Sequence, residues 1–283
     1  MTDKAKGRLI IIGGHEEKDQ NRNREILKEV ASSVKSEKDC LVVITVASSL
    51  PKKMAKDYHK TFSDLGVKNI EVLDIRTREE AYSDENVGKL ANAAVIFFTG
   101  GDQLRITSQI GDSPVFRCTR ERFIKGATVA GTSAGAASMP ETMLISGPSD
   151  ESNKISSLGM APGLGFLPGV VIDSHFAERG RMGRLLGAVA QNPRNLGIGI
   201  DEDTAIVVEN ESGFRVIGSG AVYVVDGRGI SYSSLSQRYA EGVVSLFDVK
   251  LHVLGAGDSF NFENRQPIVD EKIAKELLHK EDE

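Results

Sequence analysis

Five short apolar runs constrain the fold of this 283-residue chain more than any other feature. They show little alternation between apolar and polar residues. A strand that faces solvent on one side alternates apolar and polar residues, so a continuous apolar run indicates burial on both faces. Strands of this kind are typical of a parallel sheet that is covered by helices. The runs occupy residues 9–12, 41–46, 70–73, 94–98 and 127–130.

Helical stretches separate these runs, for example residues 21–34 and 78–90, where apolar residues recur at three- and four-residue spacing. The alternation predicts a doubly wound, mostly parallel α/β sheet that is flanked by helices and has right-handed crossovers. In such sheets ligands bind at the carboxyl ends of the strands. Gly13-Gly14, Gly100-Gly101 and Ser133 all follow predicted strands, so we expect their loops to meet at one edge.

The pattern changes from residue 196 onward to short β-branched strands separated by turns, which predicts a strand-rich antiparallel extension at the C-terminus. Because no linker or internal repeat is visible, we expect a single α/β domain over residues 1–283. Its expected parts are a core over about 8–210, the extension over about 211–265 and a charged tail over 270–283.

One stretch between these parts has the composition of a loop. Residues 146–165 are rich in Ser, Gly and Pro. They are interpreted either as a plain surface connection or as a mobile lid beside a substrate.

The composition excludes several classes of protein. With 40% hydrophobic and 27% charged residues the chain is typical of a globular protein, and its net charge of −5 opposes general attraction to nucleic acid or anionic membranes. The apolar runs are too short for a membrane span or for the hydrophobic region of a signal peptide. Cys40 and Cys118 are expected to be free thiols in a reducing compartment. We therefore expect a cytoplasmic protein.

Residues 131–135 read Gly-Thr-Ser-Ala-Gly and have the spacing of a nucleophile elbow. In such an elbow the glycines allow a strained strand-to-helix turn that exposes the serine hydroxyl, here that of Ser133. The N–H of Ala134 would then lie free at the start of a helix, where it could stabilise an oxyanion. The same residues would also suit a turn that serves only close packing, so the motif alone leaves both interpretations open.

A serine nucleophile requires a base, and five histidines are available. His175 follows an apolar strand and precedes a helix predicted over residues 178–190, which is where this architecture places catalytic groups. His15 follows Gly13-Gly14 and stays open as a residue on the ligand side. The remaining histidines are interpreted as solvated or structural: His59, His252 and His279.

The acid that would orient the base is sought among three consecutive carboxylates, Asp201, Glu202 and Asp203. Such a run at a turn often serves only as solvated or capping groups. Glu202 is favoured because its side chain would share a side with those of Ile200 and Thr204 if the preceding strand continued through this segment.

No spacing of metal ligands, such as Cys-x-x-Cys or His-Glu-x-x-His, is present in the sequence. No glycine-rich phosphate-binding motif follows the first strand. We therefore expect neither a metal nor a cofactor.

Several motifs together resemble those of the cyanophycinases, which belong to the serine peptidase family that also contains the aspartyl dipeptidases. The resemblance runs along almost the whole chain and implies the class I glutamine amidotransferase-like fold. Any one motif is weak, but their order and spacing together are specific. The motifs lie at residues 11–18, 98–103, 131–136, 173–176, 179–185, 199–205 and 251–254.

The resemblance implies a catalytic triad of Ser133, His175 and Glu202, with the backbone N–H groups of Gly101 and Ala134 as the oxyanion hole. The order Ser, His, Glu along the chain differs from that of the α/β-hydrolases, which argues against a lipase or an esterase.

The resemblance also implies a substrate. Cyanophycinases hydrolyse cyanophycin, a poly-aspartate backbone with arginine on each β-carboxyl, to β-aspartyl-arginine dipeptides. The substrate of this chain would thus be a polymer or oligopeptide of aspartate and arginine. Its protein partner would be a second copy of the chain in a homodimer, and we expect it to bind neither nucleic acid nor a membrane. The implied substrate-binding residues are Gln103, Asp173, Arg179, Arg181 and Arg184.

Two features leave the substrate open. Ser174 stands where we expect glutamine in cyanophycinases, which would alter a subsite. An aspartyl dipeptidase would share the triad, although those chains are generally shorter. A ligand-binding protein without catalytic activity is the alternative from a different class.

Overall fold

The computed structural model describes residues 7–146, 158–209, 212–235 and 244–268. Besides one 3-10 turn, Glu79–Tyr82, the α-helices are α1 Glu25–Ala31, α2 Pro51–Asp64, α3 Asp84–Leu90, α4 Gln103–Ile110, α5 Pro114–Ile124, α6 Ala134–Ala137 and α7 Met182–Gln191. The strands are β1 Leu9–Ile12, β2 Cys40–Ile44, β3 Ile70–Leu73, β4 Ala93–Phe98, β5 Thr128–Thr132, β6 Thr142–Ser146, β7 Gly159–Pro162, β8 Val170–Ser174, β9 Leu196–Ile200, β10 Thr204–Glu209, β11 Gly213–Gly218, β12 Val222–Asp226, β13 Tyr232–Ser233, β14 Leu246–Phe247, β15 Lys250–Leu254, β16 Ser259–Asn261 and β17 Gln266–Ile268.

Over the residues that the structure describes, the main sheet has nine strands, which divide into a parallel and an antiparallel half. The five apolar runs form its parallel half, in the order β1-β5-β4-β2-β3. The antiparallel half continues from β1 through β10, β11, β16 and β17. The predicted fold class, a mostly parallel sheet flanked by helices with an antiparallel C-terminal extension, is confirmed.

Buried apolar side chains cover both faces of this sheet. Every residue of β1 and β2 is buried, and alternate residues of β1 belong to separate clusters, with Leu9 and Ile11 on one side and Ile10 and Ile12 on the other. Burial on both faces explains why these strands carry no polar alternation.

Local signals fix several helix starts. Proline occupies the first turn of α2 and of α5, where its missing N–H costs nothing. The Asp102 side chain caps α4 by accepting a hydrogen bond from the N–H of Leu104 at 2.9 Å. Asp102 follows Gly100-Gly101, so the cap holds that loop at the carboxyl end of β4.

A second sheet of four strands, in the order β15-β12-β9-β8, was not anticipated from the sequence. Within it β8 and β9 are parallel, while β12 pairs antiparallel with both β9 and β15. A backbone hydrogen bond joins the strand ends of the two sheets, because the N–H of His175, directly after β8, donates to the carbonyl of Gly13, directly after β1, at 2.8 Å. The residues after β1 and β8 therefore meet.

The strand that ends at Ile200 does not continue through to Thr204. β9 belongs to the second sheet and β10 to the main sheet, so residues 201–203 form the turn that passes from one sheet to the other. Asp203 adopts a positive φ of 46° in this turn. The reason given for Glu202, a side shared with Ile200 and Thr204, is therefore wrong.

Three predicted helices are shorter than expected. The segment 21–34 is helical only over α1, and the segment 78–90 divides into the 3-10 turn and α3. The helix predicted from residue 178 begins at Met182, because Gly180 has a positive φ of 59° that a helix cannot contain.

The prediction of a loop over residues 146–165 is partly wrong. Residues 159–162 form β7, which pairs antiparallel with β6, and residues 147–157 lie outside the described residues. The predicted charged tail, residues 270–283, also lies outside them. Cys40 and Cys118 are free thiols. Among the described residues, no helix is both long enough and apolar enough to span a membrane.

Candidate active site

Ser133 lies in a strained turn between β5 and α6. Its backbone has φ 54° and ψ −109°, a conformation that a residue other than glycine rarely adopts. The flanking glycines permit the turn, because a Cβ on Gly131 would lie 2.7 Å from the carbonyl carbon of Gly135, and a Cβ on Gly135 would lie 2.4 Å from the carbonyl oxygen of Phe98. Residues 131–135 therefore have the backbone geometry of a nucleophile elbow.

A continuous line of hydrogen bonds runs from Ser133 through His175 to Glu202. The Oγ of Ser133 lies 2.8 Å from Nε2 of His175, and Nδ1 of His175 lies 2.6 Å from Oε1 of Glu202. Because an ionised carboxylate can only accept, Nδ1 carries the ring proton. Nε2 is then the acceptor for the serine hydroxyl, which is the arrangement that a general base requires.

The environment of His175 keeps its ring neutral. Burial lowers the pKa of His175 below the ordinary value of 6.5, and the positive charge of Arg179 lowers this pKa further, while the hydrogen bond to Glu202 opposes both effects. The pKa of Glu202 is also lowered, because the hydrogen bonds from its two histidine partners outweigh the effect of burial. The pair at neutral pH is therefore an imidazole beside a carboxylate.

The three consecutive carboxylates have different surroundings. Asp201 accepts hydrogen bonds from two backbone N–H groups, and Asp203 accepts one from a backbone N–H and one from a hydroxyl, so both hold loops together. Only Glu202 reaches His175. The partners are Ala177 and Ala221 for Asp201, and Glu17 and Ser219 for Asp203.

His15, which the sequence left open, lies against this line of hydrogen bonds. Its Nδ1 is 2.8 Å from Oε2 of Glu202, and its ring meets that of His175 edge to face, with 5.3 Å between the centroids. The loop of Gly13-Gly14 has no room for side chains here, since a Cβ on Gly14 would lie 2.3 Å from the ring of His175. A Cβ on Gly13 would lie 2.0 Å from the carbonyl oxygen of Asp201, so both positions of the pair require glycine.

The nitrogen and oxygen atoms of His15, His175 and Glu202 lie within 4.8 Å of one another, close enough to hold a metal ion. The hydrogen bonds between these side chains account for their proximity. A bound metal would take Nδ1 of His175 and thereby remove the orientation that prepares Nε2 to accept a proton.

A cavity of about 170 Å³ opens beside Ser133. The amide of Gln103 donates to the carbonyl of Leu144 at 2.7 Å in its wall. All ten residues proposed for the site from the sequence lie in the cavity wall or in the triad. The wall contains Gly101, Gln103, Ser133, Ala134, Ala137, Leu144, Ile145, Asp173, Ser174, Arg179, Arg181 and Arg184.

The carboxylate of Asp173 is paired with two arginines. Arg181 donates to it at 2.9 Å, and Arg184 binds it in a bidentate manner through Nε, at 2.8 Å, and Nη2. Arg179 lies exposed at the rim. Arg179 and Arg181 precede α7, so neither of them lies on that helix.

The arginines outnumber the acid in this wall. Three guanidinium groups face one carboxylate, that of Asp173, so the cavity keeps an excess of positive charge. The Nε of Arg181 is buried and has no hydrogen-bond partner among the described residues. The cavity is therefore suited to an anionic group of a ligand.

The two residues predicted to supply the oxyanion hole, Gly101 and Ala134, both line the cavity. Gly101 has φ 146°, and a Cβ on it would lie 2.1 Å from the carbonyl oxygen of Ala47, so the position requires glycine. Ala134 is the first residue of α6, which leaves its N–H without an acceptor inside the helix.

A buried carboxylate behind the elbow was missed in the sequence. Glu16 is 3% exposed and accepts hydrogen bonds from Thr132, at 2.6 Å, and from Tyr58, and Lys18 pairs with it at 2.8 Å. Burial alone would raise the pKa of Glu16, but Lys18 and the two hydroxyl donors lower it below 4.5. A charged residue directly after Gly13-Gly14-His15 was the available signal.

This chain is similar to known peptidases. The model of peptidase family S51 matches residues 9–216. A cyanophycinase of Geminocystis herdmanii is 38% identical over 269 residues, which cover 95% of this chain and 98% of the relative. A cyanophycinase of a Nostoc species is 39% identical over 262 residues, which cover 92% of this chain and 87% of the relative.

Among solved structures, a peptidase from an acI-B1 actinobacterium aligns with a TM-score of 0.69 and covers 92% of this chain and 98% of its own. A putative peptidase E from Listeria monocytogenes aligns with a TM-score of 0.52 and covers 76% of this chain and 99% of its own. At 20% and 16% identity these two structures show the fold alone. The family match and the relatives together show more: the chain belongs to peptidase family S51 and is a peptidase.

Proposed function

We propose that this peptidase hydrolyses cyanophycin, a polymer of aspartate and arginine, and releases β-aspartyl-arginine dipeptides. The observation that carries the proposal is the hydrogen-bonded line of Ser133, His175 and Glu202 beside a cavity lined by arginines. The names of the relatives from Geminocystis and Nostoc support the substrate. The alternative of a ligand-binding protein without activity is set aside, because the family consists of peptidases.

The proposed reaction is an acyl transfer through Ser133. His175 takes the hydroxyl proton at Nε2 while Oγ attacks the scissile carbonyl carbon, and Glu202 stabilises the imidazolium that forms. The N–H groups of Gly101 and Ala134 bind the oxyanion. His175 then gives its proton to the leaving amine, and water, activated by the same histidine, hydrolyses the acyl-enzyme.

The charges of the cavity suit one end of the substrate. Each cyanophycin unit carries a carboxylate on its arginine, and a guanidinium of the enzyme can pair with a carboxylate in a bidentate manner. Arg179 and Arg181 are proposed as its partners, with Arg184 and Asp173 holding Arg181 in place. Gln103 is proposed to contact the substrate across the cavity.

Three further proposals concern the whole protein: it forms one domain, it works as a homodimer and it acts in the cytoplasm. The free thiols Cys40 and Cys118 support a reducing compartment. Gel filtration with light scattering tests the homodimer, and a single mass of one chain would contradict it.

A comparison of two substrates tests the proposed activity. The purified protein is given soluble β-aspartyl-arginine oligomers and, separately, a dipeptide with an α-linked N-terminal aspartate. We expect kcat/KM to be at least tenfold higher for the oligomers. A preference for the α-linked dipeptide would assign the chain to the aspartyl dipeptidases instead.

A further inference from the structure

We propose that His15 is a positioning residue that holds the acid of the triad in place. The proposal rests on the proposed triad and adds a fourth side chain to it. His15 is not among the residues that line the cavity; its side chain forms a hydrogen bond to Glu202 and meets the ring of His175 edge to face.

The two oxygens of Glu202 are shared between two imidazoles. Oε1 lies 2.6 Å from Nδ1 of His175, and Oε2 lies 2.8 Å from Nδ1 of His15. A carboxylate held through both oxygens cannot rotate about its terminal bond without breaking a hydrogen bond. The side chain of Glu202 is 26% exposed, so without His15 its second oxygen would bind water, which does not fix its direction.

The backbone around His15 is anchored to the same turn as Glu202. The N–H of Asp203 donates to the carbonyl of Gly14 at 2.8 Å, and the N–H of Glu17 donates to Oδ1 of Asp203 at 2.9 Å. These bonds bracket His15 from both sides. His15 itself has a positive φ of 48°, a conformation that is uncommon for residues other than glycine, although histidine adopts it more often than most.

A purely structural role does not account for this arrangement. The His15 side chain is 73% exposed, so it fills no core space, and its removal would leave no cavity. A positive φ at a residue whose exposed side chain contacts a catalytic acid is more typical of a functional site than of packing.

Three substitutions separate the hydrogen bond from the backbone conformation. Asparagine, aspartate and glycine all tolerate a positive φ. In H15N the amide nitrogen takes the place of Nδ1 and can still donate to Glu202. H15D has the same shape but presents an acceptor, and H15G presents nothing.

The rate of reaction of Ser133 with a fluorophosphonate probe is the measurement, since it reports activation of the nucleophile whatever the natural substrate. In this reaction Oγ forms a bond to phosphorus, fluoride leaves and His175 takes the proton. We expect the maximal labelling rate of H15N to stay within about threefold of wild type. Loss of the bond in H15G should lower it about tenfold, and H15D should be at least tenfold slower than H15N. Melting temperatures should remain similar.

Equal labelling rates for H15N and H15D would overturn the role of His15, as would an effect confined to the probe's dissociation constant. Failure of the wild type to label at Ser133 would overturn the proposed triad and the role of His15 with it. Normal labelling of a protein that does not degrade cyanophycin would contradict the proposed substrate while leaving His15 as positioning residue.

Discussion

At the scale of single residues, the site depends on which partner each charged group finds. Asp201 and Asp203 accept hydrogen bonds from backbone and hydroxyl groups, and only Glu202 reaches a histidine. Asp173 likewise forms ion pairs with Arg181 and Arg184. The sequence shows that these groups exist, but their assignment depends on contacts between residues far apart, such as the 187 positions that separate His15 from Glu202.

The pH dependence of kcat/KM should report the pKa of His175. Burial and Arg179 lower this pKa below 6.5, so the neutral ring is the major form at pH 6.5, and protonation at lower pH removes the base. We expect activity to be level near pH 7 and to decline on the acid side with a midpoint below pH 6.5. A midpoint above pH 6.5, measured with a substrate that does not itself titrate there, would contradict this environment.

Replacing Arg181 by glutamine should weaken substrate binding more than it slows turnover. Its buried Nε has no partner among the described residues, and loss of a hydrogen bond to a charged group costs roughly 1.5–3 kcal/mol, or about ten- to a hundredfold. We expect KM to rise by about that factor, with a smaller change in kcat. Lys68→Gln, which removes an exposed charge paired with Glu37, is the control. A KM within twofold of wild type would remove Arg181 from the substrate site.

At the scale of elements, strand ends bring the site together. β1 is followed by the pair Gly13-Gly14, while β5 and β8 are followed by residues with a positive φ, Ser133 and His175. The turn after β9 passes from the second sheet to the main sheet and places Glu202 beside His175. The apolar runs and the elbow could be predicted, because burial and glycine spacing leave a local pattern. The second sheet could not, because β8 and β9 have the same buried pattern as strands of the main sheet.

Glu16 joins three of these elements, the end of β1, α2 and β5, through Lys18, Tyr58 and Thr132. Glu16→Gln should destabilise the protein at pH 7 by on the order of 2 kcal/mol, because glutamine offers one acceptor oxygen to the hydroxyls of Tyr58 and Thr132 where glutamate offers two, and because Lys18 would lose its charged partner. Denaturant unfolding measures the change. Glu37→Gln, at an exposed pair, should cost less than about 1 kcal/mol.

The effect of Glu16 should depend on pH in one direction. Its folded pKa is lower than 4.5, so its contribution to stability is complete above the pKa of the unfolded chain and is lost as the pH falls through the folded pKa. The difference in stability between wild type and Glu16→Gln should therefore shrink below about pH 4.5. A difference that stays constant down to pH 3, or that is absent at pH 7, would show that the ionised carboxylate is not what stabilises this junction.

At the scale of the molecule, the two sheets meet at one edge, where the Gly13-Gly14 loop, the elbow and the turn at residues 201–203 lie together. The same edge carries the cavity and its arginines. The position of this site could be predicted from the rule that ligands bind at the carboxyl ends of parallel strands. The contribution of two sheets to the site could not be predicted, because nothing in the spacing of the apolar runs distinguishes one sheet from two.

The release of dipeptide from insoluble cyanophycin, by wild type and by Ser133→Ala, tests the central claim most directly. The wild type should release β-aspartyl-arginine, identified by mass and by its isopeptide linkage. The variant should fold normally and lose turnover by a factor on the order of 10⁴ to 10⁶. Retention of more than about a tenth of the wild-type rate by a folded, uncontaminated variant would contradict Ser133 as the nucleophile. Failure of the wild type to release any dipeptide would contradict cyanophycin as the substrate.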